Sequence, residues 1–188
     1  MTERLDMILK DVTEALYEKE TVRESTIIAS RKVIRLSKNV IHAIHRGEDC
    51  SEYRKEMLYT VSSIDKDSSA SFDALMEYAE AEILNAIINN VDIPSPCDLR
   101  IDEGLWLMGM ADTIGELRRV VLTRLMESDL NSAKNLFEIM DELCEGLMIF
   151  DVPDAILPIR RKQDIARGIL ERTRSDLLNA TLTFVNPK

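Results

Sequence analysis

Residues 105–122 read LWLMGMADTIGELRRVVL, and this stretch decides the fold. Apolar side chains occur at nearly every angle around a helix with this sequence, so we expect a central helix that is packed on several sides. Two acids interrupt it, Asp112 and Glu116, which are four residues apart and therefore about 40° apart around the helix. Burying two carboxylates on a central helix is costly unless a cation or a hydrogen-bond donor compensates them. The stretch therefore predicts a helical core with a charged site in it.

The rest of the chain also shows the spacing of apolar positions that is typical of helices. Gly and Pro are scarce, at six and five residues, and no segment alternates apolar and polar positions as a strand would. We predict an all-α fold, a bundle of six to seven helical elements that forms a single domain over residues 1–188. The predicted helices span residues 2–46, 51–64, 69–90, 102–127, 131–150 and 159–182, and residues 91–100 form a loop. Whether the first helix breaks near Thr21 stays open.

Composition limits the functions that this chain can have. The formal net charge is −10, so bulk electrostatics repel nucleic acid unless basic residues are segregated on one surface. The three cysteines, Cys50, Cys97 and Cys144, form no CxxC motif, which argues against a thiolate zinc site and favours free thiols in a reducing cytoplasm. No apolar run has the length of a membrane span, and the acidic N-terminus lacks the form of a signal peptide. We therefore expect a cytoplasmic location.

Basic residues are indeed segregated on one face of the first predicted helix. No acid occurs between Arg31 and Arg46, and apolar residues such as Val33 and Val40 fall on the opposite arc. A row of cations along one helix suits a phosphate backbone, although a solvated face explains the pattern as well. No nearby carboxylate completes a metal site for the two histidines, so a phosphate or interface contact fits them better. The residues predicted to contact nucleic acid are Arg31, Arg35, Lys38, His42, His45 and Arg46, with Asn39 on the same arc.

The last predicted helix carries a second group of cations. Charges of opposite sign alternate at helical spacing through residues 160–174, which is typical of ion pairs within a helix. We expect these residues to be mainly structural, with Arg160 and Arg161 as supporting contacts.

A second pair of acids, Glu77 and Glu80, lies three residues apart on the third predicted helix and therefore on one face. The helical wheel places both acids next to apolar residues that border the core. Glu82 falls instead on the solvent-exposed side, together with Tyr78 and Asn85.

Two central helices that each present a carboxylate pair can form a site with four carboxylates. All-oxygen ligands suit Mg²⁺ or Mn²⁺ rather than zinc, and such an ion lowers the pKa of a bound water and offsets charge that builds on a phosphodiester. Neither pair includes the histidine that di-iron bundles require, which argues against an oxidase. Simpler explanations stay open, because acids three residues apart are common on helices and Arg119 can pair with Asp112 and Glu116.

Four stretches of the chain resemble the translin family, and specifically its Trax branch. Residues 107–119, LMGMADTIGELRR, match the most diagnostic Trax motif, Gly-x-Ala-Asp-x-x-Gly-Glu-Leu-x-Arg. Residues 77–81, EYAEA, match its Glu-x-x-Glu motif. Residues 23–47 resemble the first helix of the family, which ends in His-Arg, and residues 159–177 resemble its C-terminal helix. The resemblance covers most of the chain.

The resemblance implies a translin-like bundle of seven helices that assembles into a closed octameric shell and binds single-stranded RNA or DNA on its inner surface. The Trax branch implies a Mg²⁺-dependent endoribonuclease, and this chain keeps the four acids that translin subunits proper lack in part. Carried over by motif position, the metal-binding and catalytic residues are Glu77, Glu80, Asp112 and Glu116, with Arg119 as a supporting cation. The compact sequence favours a homo-oligomer. The alternatives are a non-catalytic scaffold that binds single-stranded nucleic acid and a helical interaction protein without a nucleic-acid role.

Overall fold

The computed structural model describes residues 2–185, and α-helices account for most of them. The described residues contain no strand, so the predicted all-α class is confirmed. Within this part of the chain the seven α-helices are α1 (Thr2–Arg46), α2 (Ser51–Ser62), α3 (Phe72–Ile88), α4 (Pro96–Leu99), α5 (Glu103–Met126), α6 (Leu130–Met148) and α7 (Arg160–Val185). A 3₁₀ turn, Ser69–Ser71, precedes α3.

Helix α5 lies at the centre, as its apolar sequence predicts. It packs against α3 on one side and against α6 and α7 on the other, and α3 in turn packs against α1, which carries α2 on its outer side. Ile114, Leu117 and Val121 are fully buried on α5, and Leu75, Ile83 and Leu84 are fully buried on α3. The core therefore lies along the α3–α5 contact, which also fixes the spacing between the two predicted acid pairs.

Helix α1 is continuous from Thr2 to Arg46, so it does not break near Thr21. Its C-terminal half joins the core through Val33, Leu36 and Val40, whereas residues 3–25 are exposed. The helix ends at Gly47, whose φ of +65° provides the left-handed conformation that terminates many helices. The amphipathic second half of α1 thus brings its polar face beside α3 and α5.

The predicted loop over residues 91–100 contains the short helix α4. Pro96 occupies its first turn, and Ser95 and Asp98 form a capping box at its N-terminus. A single turn has too few residues to show helical periodicity, which is why the sequence predicts only a loop here. The loop is held in place by the indole Nε1 of Trp106, which donates to the Pro94 carbonyl at 2.8 Å.

None of the helices in residues 2–185 combines the length and the apolar character that crossing a membrane requires.

Candidate functional site

The two acid pairs come together because α3 and α5 approach each other very closely. At Gly109 on α5, a Cβ atom would lie 2.6 Å from the Met76 carbonyl oxygen and 2.8 Å from the Ala79 Cβ of α3. Only a glycine fits such a contact without moving the backbones apart. The next turn of α5 carries Asp112, and the facing turn of α3 carries Glu80. The close approach therefore sets these two acids across a narrow gap.

All four predicted carboxylates line one cleft of about 450 Å³ between α1, α3 and α5. Its lining residues are Lys38, Ile41, His42, Glu77, Glu80, Asp112, Glu116 and Arg119. The acids differ in exposure. The Asp112 side chain is 45% exposed, whereas the Glu116 side chain is 21% exposed. The prediction that both acids of α5 are buried is therefore wrong for Asp112, because that side chain lies at the open edge between helices.

Three of the four acids have a cationic partner. Lys162 of α7 places its Nζ 2.5 Å from both carboxylate oxygens of Asp112. Glu116 accepts a hydrogen bond from Arg119 at 2.8 Å and is also hydrogen-bonded to the His45 ring.

Glu77 is the third of these acids, and its contact is longer. The Lys38 Nζ lies 3.8 Å from one of its oxygens. Glu80 forms no ion pair with any residue in the described part of the chain. The cleft therefore has one uncompensated carboxylate among four.

The pKa values reflect this imbalance of charge. Burial, followed by repulsion from Asp112, Glu77 and Glu116, raises the pKa of Glu80 to about 8. Burial also raises the pKa of Glu77, and Lys38 offsets only part of that effect. For Glu116 burial acts in the same direction, but the hydrogen bond from His45 and the charge of Arg119 outweigh it and lower its pKa. The cleft thus lacks positive charge at Glu80.

The residues of the cleft fit a hard divalent cation by their chemistry. The donors are carboxylate oxygens from two helices, and a partly buried acid without a counter-charge is the situation that a bound cation relieves. No three His, Cys, Asp or Glu side chains converge at metal-ligating geometry among the described residues. The oxygens of Asp112 and Glu116 are instead paired with Lys162, Arg119 and His45. A cation would have to replace these partners.

The basic face of α1 runs into this cleft. Arg31, Arg35 and Lys38 line a shallow groove together with Asn39 and His42, and Lys38 and His42 also line the carboxylate cleft. Arg31 and Arg35 form no ion pair with any described residue. The first part of the predicted stripe is therefore one continuous cationic surface that leads to the four acids.

The two residues at the end of the stripe, His45 and Arg46, both pair with acids of the chain. The His45 side chain is only 9% exposed and contacts Glu116, so it lies inside the site rather than on the cationic surface. Arg46 forms an ion pair with Glu48 at 2.8 Å. The sequence showed no carboxylate near His45, because Glu116 is 71 residues away and is brought in only by the packing of α5.

The cations of α7 have mixed roles. Arg167 pairs with Asp164 at 2.9 Å, as the alternation of charges predicts, and Arg160 pairs with Asp151 at 3.2 Å. Neither Arg160 nor Arg161 lines the cleft. Lys162, which was not among the predicted site residues, is the residue of α7 that reaches the carboxylate of Asp112. Its position at the start of an amphipathic helix carried no signal for this contact.

The predicted solvent exposure of Glu82 is wrong. The sequence predicts that it faces solvent, but it is 4% exposed, and Tyr78 and Asn85 beside it are buried as well. Arg54 of α2 covers this side of α3 and binds Glu82 through two hydrogen bonds of 2.8 and 2.7 Å. A helical wheel treats α3 alone and therefore cannot show that Arg54 comes over its polar face.

Comparison with known proteins places this arrangement in a family. No family model matches the chain. An uncharacterized protein of Methanocaldococcus jannaschii is 36% identical over an alignment of 173 positions, which covers 87% of this chain and 78% of that protein.

Solved structures show the same architecture. The crystal structure of AfC3PO is 34% identical with a TM-score of 0.84, covering 95% of this chain and 99% of that one. The structure of an AfC3PO–duplex RNA complex is 32% identical with a TM-score of 0.85, covering 95% and 98%. The crystal structure of apo-NeC3PO has a TM-score of 0.83 at 23% identity, covering 92% and 96%, and supports the fold alone.

The fold is therefore a translin-like helical bundle of the C3PO type. The chain belongs to the translin family.

Proposed function

We propose that this protein is a Trax-like, Mg²⁺- or Mn²⁺-dependent endoribonuclease that works inside an oligomeric shell. One observation carries the proposal: two carboxylate pairs from adjacent helices line a single cleft, and a cationic surface of α1 runs into that cleft. Acids alone would repel RNA and cations alone would only bind it. A cationic surface that is continuous with the four acids suits a protein that holds a phosphate backbone and acts on one of its bonds.

Each set of residues has a distinct task in this proposal. Glu77 and Glu80 from α3 and Asp112 and Glu116 from α5 would hold the cation, which, when bound, supplies charge stabilisation and water activation at the scissile phosphate. One of the four carboxylates orients or deprotonates the attacking water. Arg119 and His45 position Glu116 through their hydrogen bonds to it.

The cationic surface holds the substrate. Arg31, Arg35, Lys38 and His42 would contact successive phosphates, so binding should depend on salt and select little for sequence. Aromatic residues that could stack on bases are few, at 5% of the chain. AfC3PO forms a complex with duplex RNA. We propose single-stranded RNA as the substrate of this chain, with single-stranded DNA as a further ligand. Duplex RNA should be tested beside single-stranded RNA in the same assays.

A homo-oligomer fits the surface of α1. Its N-terminal half exposes apolar side chains at spacings of three and four residues, including Leu5, Leu9, Val12 and Leu16, each at least 48% exposed. Such a stripe is typical of a helix that packs against another copy. We propose the closed octamer of the translin family, with the groove of α1 facing the interior. This arrangement would separate the basic surface from the acidic exterior of a protein whose net charge is −10. Its three free cysteines suit a cytoplasmic location.

The second candidate is a non-catalytic scaffold that binds single-stranded nucleic acid. It is favoured by the existing ion pairs, because Lys162 and Arg119 already compensate Asp112 and Glu116 without any metal. In that case the acids would only shape the surface of the cleft.

A cleavage assay separates the two candidates. Purified protein is incubated with Mn²⁺ and end-labelled RNA, single-stranded or duplex, and both binding and cleavage are measured. We expect cleavage by the wild type that disappears in Glu116→Ala and persists in Glu142→Ala, which removes an exposed acid of α6. RNA binding without metal-dependent cleavage would instead support the scaffold. Absence of salt-dependent RNA binding would exclude both.

A further inference from the structure

Lys162 lies beside the cleft and is not among its lining residues. It lies in the first turn of α7 and pairs with Asp112, one of the four acids. Its side chain is 21% exposed, which is less than the 45% of the Asp112 side chain that it binds. Most of the Lys162 side chain is therefore covered by the protein, whereas a typical surface lysine extends into solvent.

The ammonium group of Lys162 occupies the oxygens that a metal ion would need. Its Nζ lies 2.5 Å from both Oδ1 and Oδ2 of Asp112. A divalent cation and an ammonium group cannot both approach the same two oxygens closely, because like charges at that distance repel each other strongly. Binding of the cation at Asp112 therefore requires the ammonium group to leave.

The freed ammonium group would stay at the site. The backbone of Lys162 is fixed in α7, and its flexible four-carbon stem lets the charged end move by a few ångströms. It also lies near enough to Glu80 to offset part of that acid's raised pKa. A bound RNA would bring phosphate anions to the same cleft, within reach of this flexible charged end.

We propose that Lys162 is a substrate-contacting residue that exchanges partners: it neutralises Asp112 when no divalent cation is bound, and it donates to a non-bridging phosphate oxygen of RNA when one is. This assignment rests on the proposed nuclease function. Arg119 is a poorer candidate, since it lies on the same helix as its partner Glu116 and its side chain is 53% exposed. A lysine suits an exchange of partners because its point charge requires no fixed planar geometry.

Metal affinity provides a test that does not depend on catalysis. Free Mn²⁺ is measured by electron paramagnetic resonance in titrations of wild type, Lys162→Met, Lys162→Arg and the control Lys134→Met, which removes an exposed lysine of α6. We expect Lys162→Met to bind Mn²⁺ roughly three- to tenfold more tightly, because the competing ion pair is gone. Lys162→Arg and Lys134→Met should stay close to the wild type.

Single-turnover cleavage at saturating Mn²⁺ then tests the contact with RNA. We expect Lys162→Met to cleave roughly 10- to 100-fold more slowly although its metal site is full, and Lys162→Arg to recover most of the rate. Tighter Mn²⁺ binding with unchanged cleavage would overturn the phosphate contact, and unchanged Mn²⁺ affinity would overturn the exchange. Wild-type protein that binds no Mn²⁺ would overturn the proposed function itself, which distinguishes the two failures.

Discussion

Replacing Gly109 by alanine should damage the fold and the cleft together. The added Cβ would lie 2.6 Å from the Met76 carbonyl oxygen and 3.0 Å from the Glu80 backbone nitrogen, and neither backbone atom can rotate away. To reach an ordinary contact of 3.4 Å, α3 and α5 must separate by about 0.8 Å at this point. Overpacking against rigid atoms costs about 3 kcal/mol. The better helix propensity of alanine returns about 1 kcal/mol, which leaves a net loss of about 2 kcal/mol.

Urea unfolding in the presence of EDTA measures this loss. The matched control is Gly115→Ala on the same helix, where the new Cβ would meet only Ile169 at the ordinary distance of 3.8 Å. We expect this control to be neutral or stabilised by up to about 1 kcal/mol. Since the carboxylate pairs also move apart, Gly109→Ala should bind Mn²⁺ more weakly than the control. Equal stability and equal Mn²⁺ affinity of the two variants would refute the claim that Gly109 sets the spacing of the site.

Three further predictions concern the charges. The pKa of Glu80 rises from 4.5 to about 8 on folding, so the wild type loses stability as the pH rises from the lower value through 8. The free energy of unfolding of Glu80→Gln in EDTA should therefore exceed that of the wild type by about 1–3 kcal/mol at pH 9 and by almost nothing at pH 4. An equal difference at both pH values would contradict this. Arg54→Met should lower the free energy of unfolding in urea by about 3–5 kcal/mol, because it leaves Glu82 buried and unpaired. The double variant that also carries Glu82→Leu should recover most of this free energy. Arg35→Gln should weaken RNA binding in fluorescence anisotropy and reduce the slope of log affinity against log salt by about 0.7, whereas an unchanged slope would remove Arg35 from the interface.

The sequence was sufficient for the parts of the fold that depend on periodicity. The apolar circumference of residues 105–122 predicts the central position of α5, and the spacing of Glu77/Glu80 and Asp112/Glu116 places each pair on one helix face. What brings the pairs together is a close contact between helices at Gly109. The sequence contains this glycine, but it does not show which residues of α3 lie next to it.

The sequence does not reveal the electrostatic partners of the acids. Lys162 is 50 residues from Asp112, and His45 is 71 residues from Glu116, so no local pattern connects them. The error at Glu82 has the same origin, because Arg54 comes from a different helix. A helical wheel describes one helix in isolation, whereas these contacts depend on how five helices, α1, α2, α3, α5 and α7, pack together.

Crystals soaked in Mn²⁺ without RNA would test the central claim most directly, by anomalous diffraction at the manganese edge. A cation held by the four acids predicts a strong peak in the cleft, about 2.0–2.3 Å from oxygens of both α3 and α5, with Lys162 moved away from Asp112. A cleft with no peak, in which Lys162 and Arg119 keep their carboxylate partners while Mn²⁺ saturates the crystal, would contradict the account.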